Sequence, residues 1–340
     1  MSENGDTGYN NANRAFLQAF MGRSTLTYEE AKPILAAIFT AHEHRETLPE
    51  DITEAHFVQY INAANNAISP YDLEIRSMFH QTTRQRSYAL VNSTSDPMTQ
   101  LATTYSADEI GFLKRILDAM FETNNTLRRE IMAINSMQAM QLCKPPASER
   151  RETQNGTANH SAGQGLKLVE AEKTLKSLVD EGWFEKSSKG YHSLSPRAIM
   201  ELRGWLIETY NELGDDEDED SVRNPKIKLC EACKEIVTVG QRCSKLTCPC
   251  RLHSICIENF FKVQKSKKCP ICKTDWTGKD HVGELAASKS SKRPNSRSSG
   301  TNHRPQARSG QASGVDGAAG REEEGDEEEV AEEKEADDAD

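Results

Sequence analysis

Eight of the nine cysteines lie between Cys230 and Cys272, and nothing else in the 340 residues restricts the fold as tightly. The spacing runs Cys230-x2-Cys233, nine residues, Cys243, four residues, Cys248, four residues, His253-x2-Cys256, twelve residues, Cys269-x2-Cys272. A Cys-x2-Cys knuckle lets two thiolates of one tight turn reach the same ion, so three close pairs and one looser pair supply ligands for two tetrahedral zinc ions. Thiolate and imidazole donors exclude calcium and magnesium, and a set that includes a histidine suits two zincs better than an iron-sulfur cluster. The 43 residues from first to last ligand are too few for a self-sufficient core, which favours an interleaved brace over two sequential ribbons. One ion then takes Cys230, Cys233, His253 and Cys256; the other takes Cys243, Cys248, Cys269 and Cys272, with Cys250 as the alternative to Cys248. Each ion would contribute on the order of 10 kcal/mol of folding free energy, so the metal-free module is expected to be unfolded.

The start, MSENGDTGYN, has neither a basic n-region nor an apolar h-region, and no apolar run approaches membrane-spanning length. Neither export nor a membrane is expected, and metal ligation rather than disulfide bonding is the default reading of the cysteines. The formal charge of -11 belongs to one segment: residues 321–340 carry thirteen of the 53 acids against two bases, leaving 40 of each sign elsewhere. Residues 281–340, basic and then acidic, cannot bury enough apolar surface and are expected to be disordered. Within them, Lys292-Arg293-Pro294 reads either as a nuclear-localisation signal or as a solvated linker.

Ahead of the cysteines, helical and alternating patterns follow one another twice. Phe16, Leu17, Phe20 and Met21 recur at helical spacing; Thr27 with Glu30 forms a capping box before Ile34, Leu35, Ile38 and Phe39; Thr53 caps a helix containing Phe57 and Ile61. Leu73–Phe79 and Ser87–Val91 then alternate as a hairpin, and three helices followed by a hairpin is the winged-helix order. After Asn92–Thr99 a second box, Ser106 with Glu109, opens a helix to Phe121, and a short helix is expected over Leu127–Ile134. A helix to Asp180, a hairpin through Trp183-Phe184 and Tyr191–Leu194, and a last helix opened by Pro196 complete a second such unit. The expected architecture is mainly α with small β-hairpins: winged-helix domains over 8–98 and 100–212 (disordered insertion about 144–165), an acidic linker over 213–225, a zinc domain over 226–280, and a disordered tail over 281–340. In the helix ending at Asp180, Lys167, Lys173 and Lys176 are matched by Glu170, Glu172 and Asp180, so this helix suits a protein partner better than DNA, and DNA contact is expected to be indirect. No Walker loop, zinc-protease helix or nucleophile elbow is present, which excludes the commonest NTPase and hydrolase designs.

The ligand order, with histidine fifth, together with Cys269-Pro270-Ile271-Cys272 and Lys273, resembles a variant RING finger. PHD fingers share the order but usually carry a tryptophan two residues before the seventh ligand, where this chain has Lys267. With the stretch GQRCSKLTCPCRLHSICIENFFK, the Trp276-Thr277-Gly278-Lys279 that follows it and two winged helices in front, residues 10–285 resemble the family of non-SMC element 1 subunits of the Smc five/six chromosome-maintenance complex, in its fungal form. The resemblance implies a nuclear, RING-type ubiquitin-protein ligase (a transferase of the ubiquitin-conjugation pathway) acting in DNA damage repair and recombination, with a MAGE-type subunit and a kleisin subunit as partners. Such a ligase makes no covalent intermediate; it holds a ubiquitin-charged conjugating enzyme in a reactive pose. The conjugating-enzyme groove carries over to Ala232, Phe260 or Phe261, Pro270 and Ile271, and Lys273 stands at the basic linchpin position. Many RING fingers have a larger aliphatic residue in place of Ala232, which implies weak intrinsic activity that a partner must raise. The alternative is a non-catalytic zinc scaffold or chromatin-reading module that docks a partner subunit.

Overall fold

Asn10 accepts the amide hydrogens of Ala12 and Asn13 while Asn13 accepts that of Asn10, so the first orphan donors of helix α1 (Asn11–Met21) are satisfied before its apolar face turns inward. The Thr27 and Glu30 box opens α2 (Tyr28–Glu43) and the Thr53 hydroxyl caps α3 (Glu54–Ile68), as expected. A hairpin follows, β2 (Leu73–Phe79) and β3 (Arg86–Asn92), paired in register from Leu73 opposite Asn92 to Phe79 opposite Arg86. A third strand, β1 (Thr25–Thr27), pairs with β3 and was not expected, because three residues are too few to display an alternating period. Phe16, Phe20, Phe57 and Tyr88 pack edge to face at 4.8–6.0 Å between ring centres and form the middle of this unit's core.

The computed structural model describes residues 9–93, 98, 101–146, 165–211 and 225–288. The expected boundary near residues 98–100, the insertion, the acidic linker and the tail beyond residue 288 fall wholly or mostly outside the described residues. All described residues belong to one compact unit, Met1–Arg293.

The second helical unit begins with α4 (Ala107–Asp118) on the Ser106 and Glu109 box and runs on through a π-turn, Ala119–Thr123. Leu127–Ile134 is not the short helix expected there. Leu127, Ile131 and Ile134 fall at i, i+4 and i+7, which imitates a helical face, yet residues 124–133 form an irregular loop whose polar groups bond partly among themselves and partly to the cysteine block. In it, Met132 is buried at a φ of 46°, a left-handed backbone that costs energy for a non-glycine residue. The short helix comes later, as α5 (Ser136–Gln141), capped by Asn135 after the two-residue strand β4 (Ile134–Asn135). Then follow α6 (Leu168–Asp180), β5 (Phe184–Lys186), β6 (Tyr191–Leu194) and α7 (Pro196–Asn211), with the strands in the order β4-β6-β5. Helix α7 lies against β2 and β3 and so joins the two helical units.

The cysteine block folds around β7 (Gly240–Arg242), β8 (Arg251–Leu252), helix α8 (Ser254–Gln264) and β9 (His281–Val282), with β7 central. Gly240 is required there, since a Cβ on it would collide with the Leu252 carbonyl of the neighbouring strand. The expected disorder from residue 281 is corrected over 281–288. Val282 and Ala286 are buried, β9 pairs with β7, and a 3-10 turn closes the block at Glu284–Ala286. A Ser- and Lys-rich average over the whole segment hid these few apolar residues. Ile227, Ile236, Val237, Leu252, Phe261 and Val282 share one continuous core with Phe121, Met132 and Leu206 of the second helical unit.

Candidate metal centre

Two Cys-x2-Cys-Lys knuckles of the same design hold the outer ligands. In the first, the Lys234 amide donates to the Cys230 carbonyl at 2.8 Å and the Cys230 amide to the Glu235 carbonyl at 2.8 Å. In the second, Lys273 donates to Cys269 at 3.0 Å and Cys269 to Thr274 at 2.8 Å. The turn demands a left-handed residue after the second cysteine, and Lys234 and Lys273 take φ of 62° and 63°. Both thiols of each knuckle therefore face one point.

The ligands assemble as two groups, Cys230, Cys233, His253 and Cys256, and Cys243, Cys248, Cys269 and Cys272, with the donor atoms of each group within 4.8 Å of one another. The chain thus brings ligands from alternate positions together, and Cys248 rather than Cys250 completes the second group. Observed separations are 3.4 Å between Cys243 and Cys272 Sγ, 3.7 Å between Cys248 and Cys269 Sγ, and 3.2 Å from Cys233 Sγ to His253 Nδ1. A tetrahedron with bonds of about 2.0–2.3 Å to nitrogen and sulfur has edges of roughly 3.3–3.8 Å, so both groups fit zinc. The His253 Nε2 lies 3.0 Å from the Ile236 carbonyl; donation there fixes the tautomer and leaves Nδ1 with its lone pair toward the cysteines. The thiols also need a cation. In the first group a hydrogen bond from Cys233 holds the Cys230 thiol at about 3 while pushing Cys233 up, and in the second group burial pushes Cys243 up to about 12. Three or four sulfurs this close ionise together only around a dication.

Cys250 is fully buried, its thiol pushed up by burial and by Cys269, and its carbonyl accepts from the Cys243 amide and from Arg251. Its place in the block is held by its backbone. Cys250→Ala is expected to retain two zincs per chain by native mass spectrometry, whereas Cys248→Ala drops one.

Residues 13–202, more than half of the chain, match the family model described as "Nse1 non-SMC component of SMC5-6 complex". The chain belongs to the Nse1 family. Residues 230–272, from the first ligand to the last, match a RING-like domain. Relatives include "Non-structural maintenance of chromosomes element 1 homolog" of Homo sapiens, 21% identical over 263 residues, covering 77% of this chain and 83% of that one. The Bos taurus homolog is 21% identical over 288 residues, 83% and 92% of the two chains, and the Saccharomyces cerevisiae protein 22% over 174 residues, 48% and 47%. Among solved structures, a chain of one titled "Nse1-Nse3-Nse4 complex" superposes with a TM-score of 0.59 at 19% identity, covering 79% of this chain and 97% of that one, which is a likeness of fold.

In this Nse1-family chain the residues named for a conjugating-enzyme groove lie on the two knuckles and on α8. Ala232, Ile271 and Lys273 are exposed, Pro270 is half-buried, and Ile271 keeps 47% of its surface. Of the adjacent phenylalanines, Phe261 is the buried one, its ring tilted against Trp276 with centres 5.6 Å apart, and Phe260 is half-buried beside it. The Lys273 ammonium donates to the Pro270 carbonyl at 2.7 Å, within its own knuckle.

Sequence reasoning missed a buried charge cluster beside the second group. Glu130 is 1% exposed; Lys228 Nζ reaches its Oε1 at 2.9 Å, Arg251 Nε its Oε2 at 2.6 Å with a second contact from Nη2, and Arg242 Nη1 lies 3.7 Å away. Burial alone would raise the Glu130 carboxyl, but hydrogen bonds from Arg251 and the charges of Arg251 and Lys228 hold it below its ordinary value. Burial lowers Lys228 despite Glu130, and Arg251 and Arg242 add repulsion. One carboxylate thus faces three cations, an excess of two positive charges that four thiolates around a dication, net -2, would balance. No signal near Glu130 could reveal this, since its partners are 98–121 residues away.

Proposed function

We propose that the chain is a ubiquitin-protein ligase subunit of the Smc five/six complex, acting in the nucleus in DNA repair. Its two helical units are read as winged helices that bind a MAGE-type subunit, with a kleisin subunit nearby. The observation that carries the ligase reading is the pair of like knuckles on an interleaved two-ion frame, offering Ala232, Ile271 and Lys273 to solvent with Phe260 alongside. An exposed aliphatic side chain and a cation at these places suit capture of a conjugating enzyme, and the zinc ions, when bound, fold the frame. Ubiquitin transfer then needs only restriction of the thioester-linked ubiquitin, a matter of positioning.

A second reading, a zinc scaffold without transferase activity, is favoured by one observation: the Lys273 ammonium is already engaged by Pro270 within the same turn. The two readings separate in a ubiquitin-discharge assay with and without the MAGE-type partner. Lys273→Gly suits this test because glycine adopts the left-handed backbone of that position freely, so the knuckle is retained while the cation is removed. The ligase reading expects discharge to fall roughly tenfold in Lys273→Gly and in Ile271→Ala, with two zincs and complex assembly unchanged. No stimulation by the wild-type chain with any conjugating enzyme of a broad panel would leave the scaffold.

A further inference from the structure

Each metal group is tied to the helical body by its own relay. From the turn between β2 and β3, the buried Gln81 side chain donates to the Ile236 carbonyl at 2.9 Å, the same oxygen that lies 3.0 Å from the Nε2 of the ligand His253. Gln81 Oε1 also accepts from the Thr238 and Val239 amides at 3.0 and 2.8 Å. From the irregular loop of the second helical unit, Glu130 accepts from Arg251, whose Nη1 donates to the carbonyls of Cys248 and Cys250 at 2.8 and 2.7 Å. The Glu130 carbonyl in turn accepts from the Gly283 amide at 2.8 Å, and the Asn125 side-chain amide donates to the Lys226 carbonyl at 2.9 Å. The shared apolar core holds the module against the helical body, and these two directional polar ties, one per metal group, set the orientation in which it is held.

We propose that Gln81 and Glu130 are positioning residues that fix the direction in which a captured conjugating enzyme presents its ubiquitin, so that acceptor lysines are selected by their place in the assembled complex. The inference rests on the ligase reading. Neither residue touches the knuckle tips or any reacting atom, so free lysine, which can approach from any side, should accept ubiquitin whether or not the module is held in one orientation. A lysine fixed in a partner subunit has a single approach.

The test uses the full chain assembled with its partner subunits, a ubiquitin-charged conjugating enzyme, and two acceptors: free lysine, and the lysines of the complex mapped by mass spectrometry. For Gln81→Ala and Glu130→Gln, free-lysine discharge should stay within about twofold of wild type while transfer to the preferred lysines falls roughly tenfold or more and spreads to others. Zinc content should not change, and in Gln81→Ala the Thr238 and Val239 amides should exchange faster with solvent. A purely structural role lowers both acceptors in equal proportion, and that outcome overturns the proposal. So does an unchanged lysine map alongside faster exchange. If Glu130→Gln loses zinc, Gln81→Ala carries the test alone. Failure of the wild-type chain to discharge onto free lysine overturns the ligase reading and this proposal with it; normal discharge with an unchanged map overturns this proposal alone.

Discussion

Chelation of both ions will unfold residues 226–288 and loosen the second helical unit, while the first keeps its fold. Structural zinc contributes about 10–16 kcal/mol per ion, so two ions together exceed a domain's whole stability margin of about 5–15 kcal/mol. The module is short, and its buried residues include the ligands Cys230, Cys243, Cys248, Cys269 and His253 themselves. Unfolding should not stop at the module, because Ile227, Val237, Leu252 and Val282 belong to the same core as Phe121 and Met132. The aromatic core around Phe16, Phe57 and Tyr88 is a separate cluster and should persist. Hydrogen exchange with and without chelator checks this: protection lost over 226–288, lowered over 119–134 and kept in α1–α3. Continued protection of 226–288 in zinc-free chain would contradict it.

The second large effect is expected at Glu130. Glu130→Ala leaves Lys228, Arg242 and Arg251 buried without their carboxylate, and breaking a buried pair by removing one partner costs about 3–5 kcal/mol. Three cations share this carboxylate, so the upper end of that range is expected, a large part of the chain's stability. Denaturant unfolding of the zinc-loaded chain measures it, and a change below about 1 kcal/mol would show that water or an anion reaches the cluster. Replacing Lys228 by methionine should cost less, because it relieves an excess of positive charge. The pH dependence follows from the lowered Glu130 pKa. A carboxylate held below its unfolded value stabilises the fold above the ordinary carboxylate range, and that contribution is lost as pH falls through the folded value. Zinc ligands also protonate on acidification, so the substitution is the cleaner measurement.

Features set by neighbours in sequence were legible. The boxes at Thr27 and Glu30 and at Ser106 and Glu109 span three residues, and both form as expected. The interleaved ligand pairing was legible too, because two tetrahedral ions and a short chain leave few arrangements. Spacing alone could not decide between Cys248 and Cys250; the decision lies with a strand pair that turns the Cys250 carbonyl toward the Cys243 amide. The apolar spacing of Leu127–Ile134 is helical, while two of its carbonyls serve distant residues: that of Leu127 accepts from Arg242 and that of Glu130 from the Gly283 amide. The same distance hid Gln81, whose partners lie 155–158 positions along the chain.

The continuation of the zinc block through β9 to the Glu284–Ala286 turn, and its pairing there with the Glu130 loop, bears on portability. Ligand spacing invites excision of residues 226–280 as a cassette, yet such a fragment would lack Val282, would leave the β7 edge bare, and would carry Lys228, Arg242 and Arg251 without their counter-charge. Grafting this finger onto another scaffold, or recombining it between subunits, therefore requires moving the Glu130 loop with it. The two segments fold as one unit split across the sequence, and a substitution in either is felt by the other.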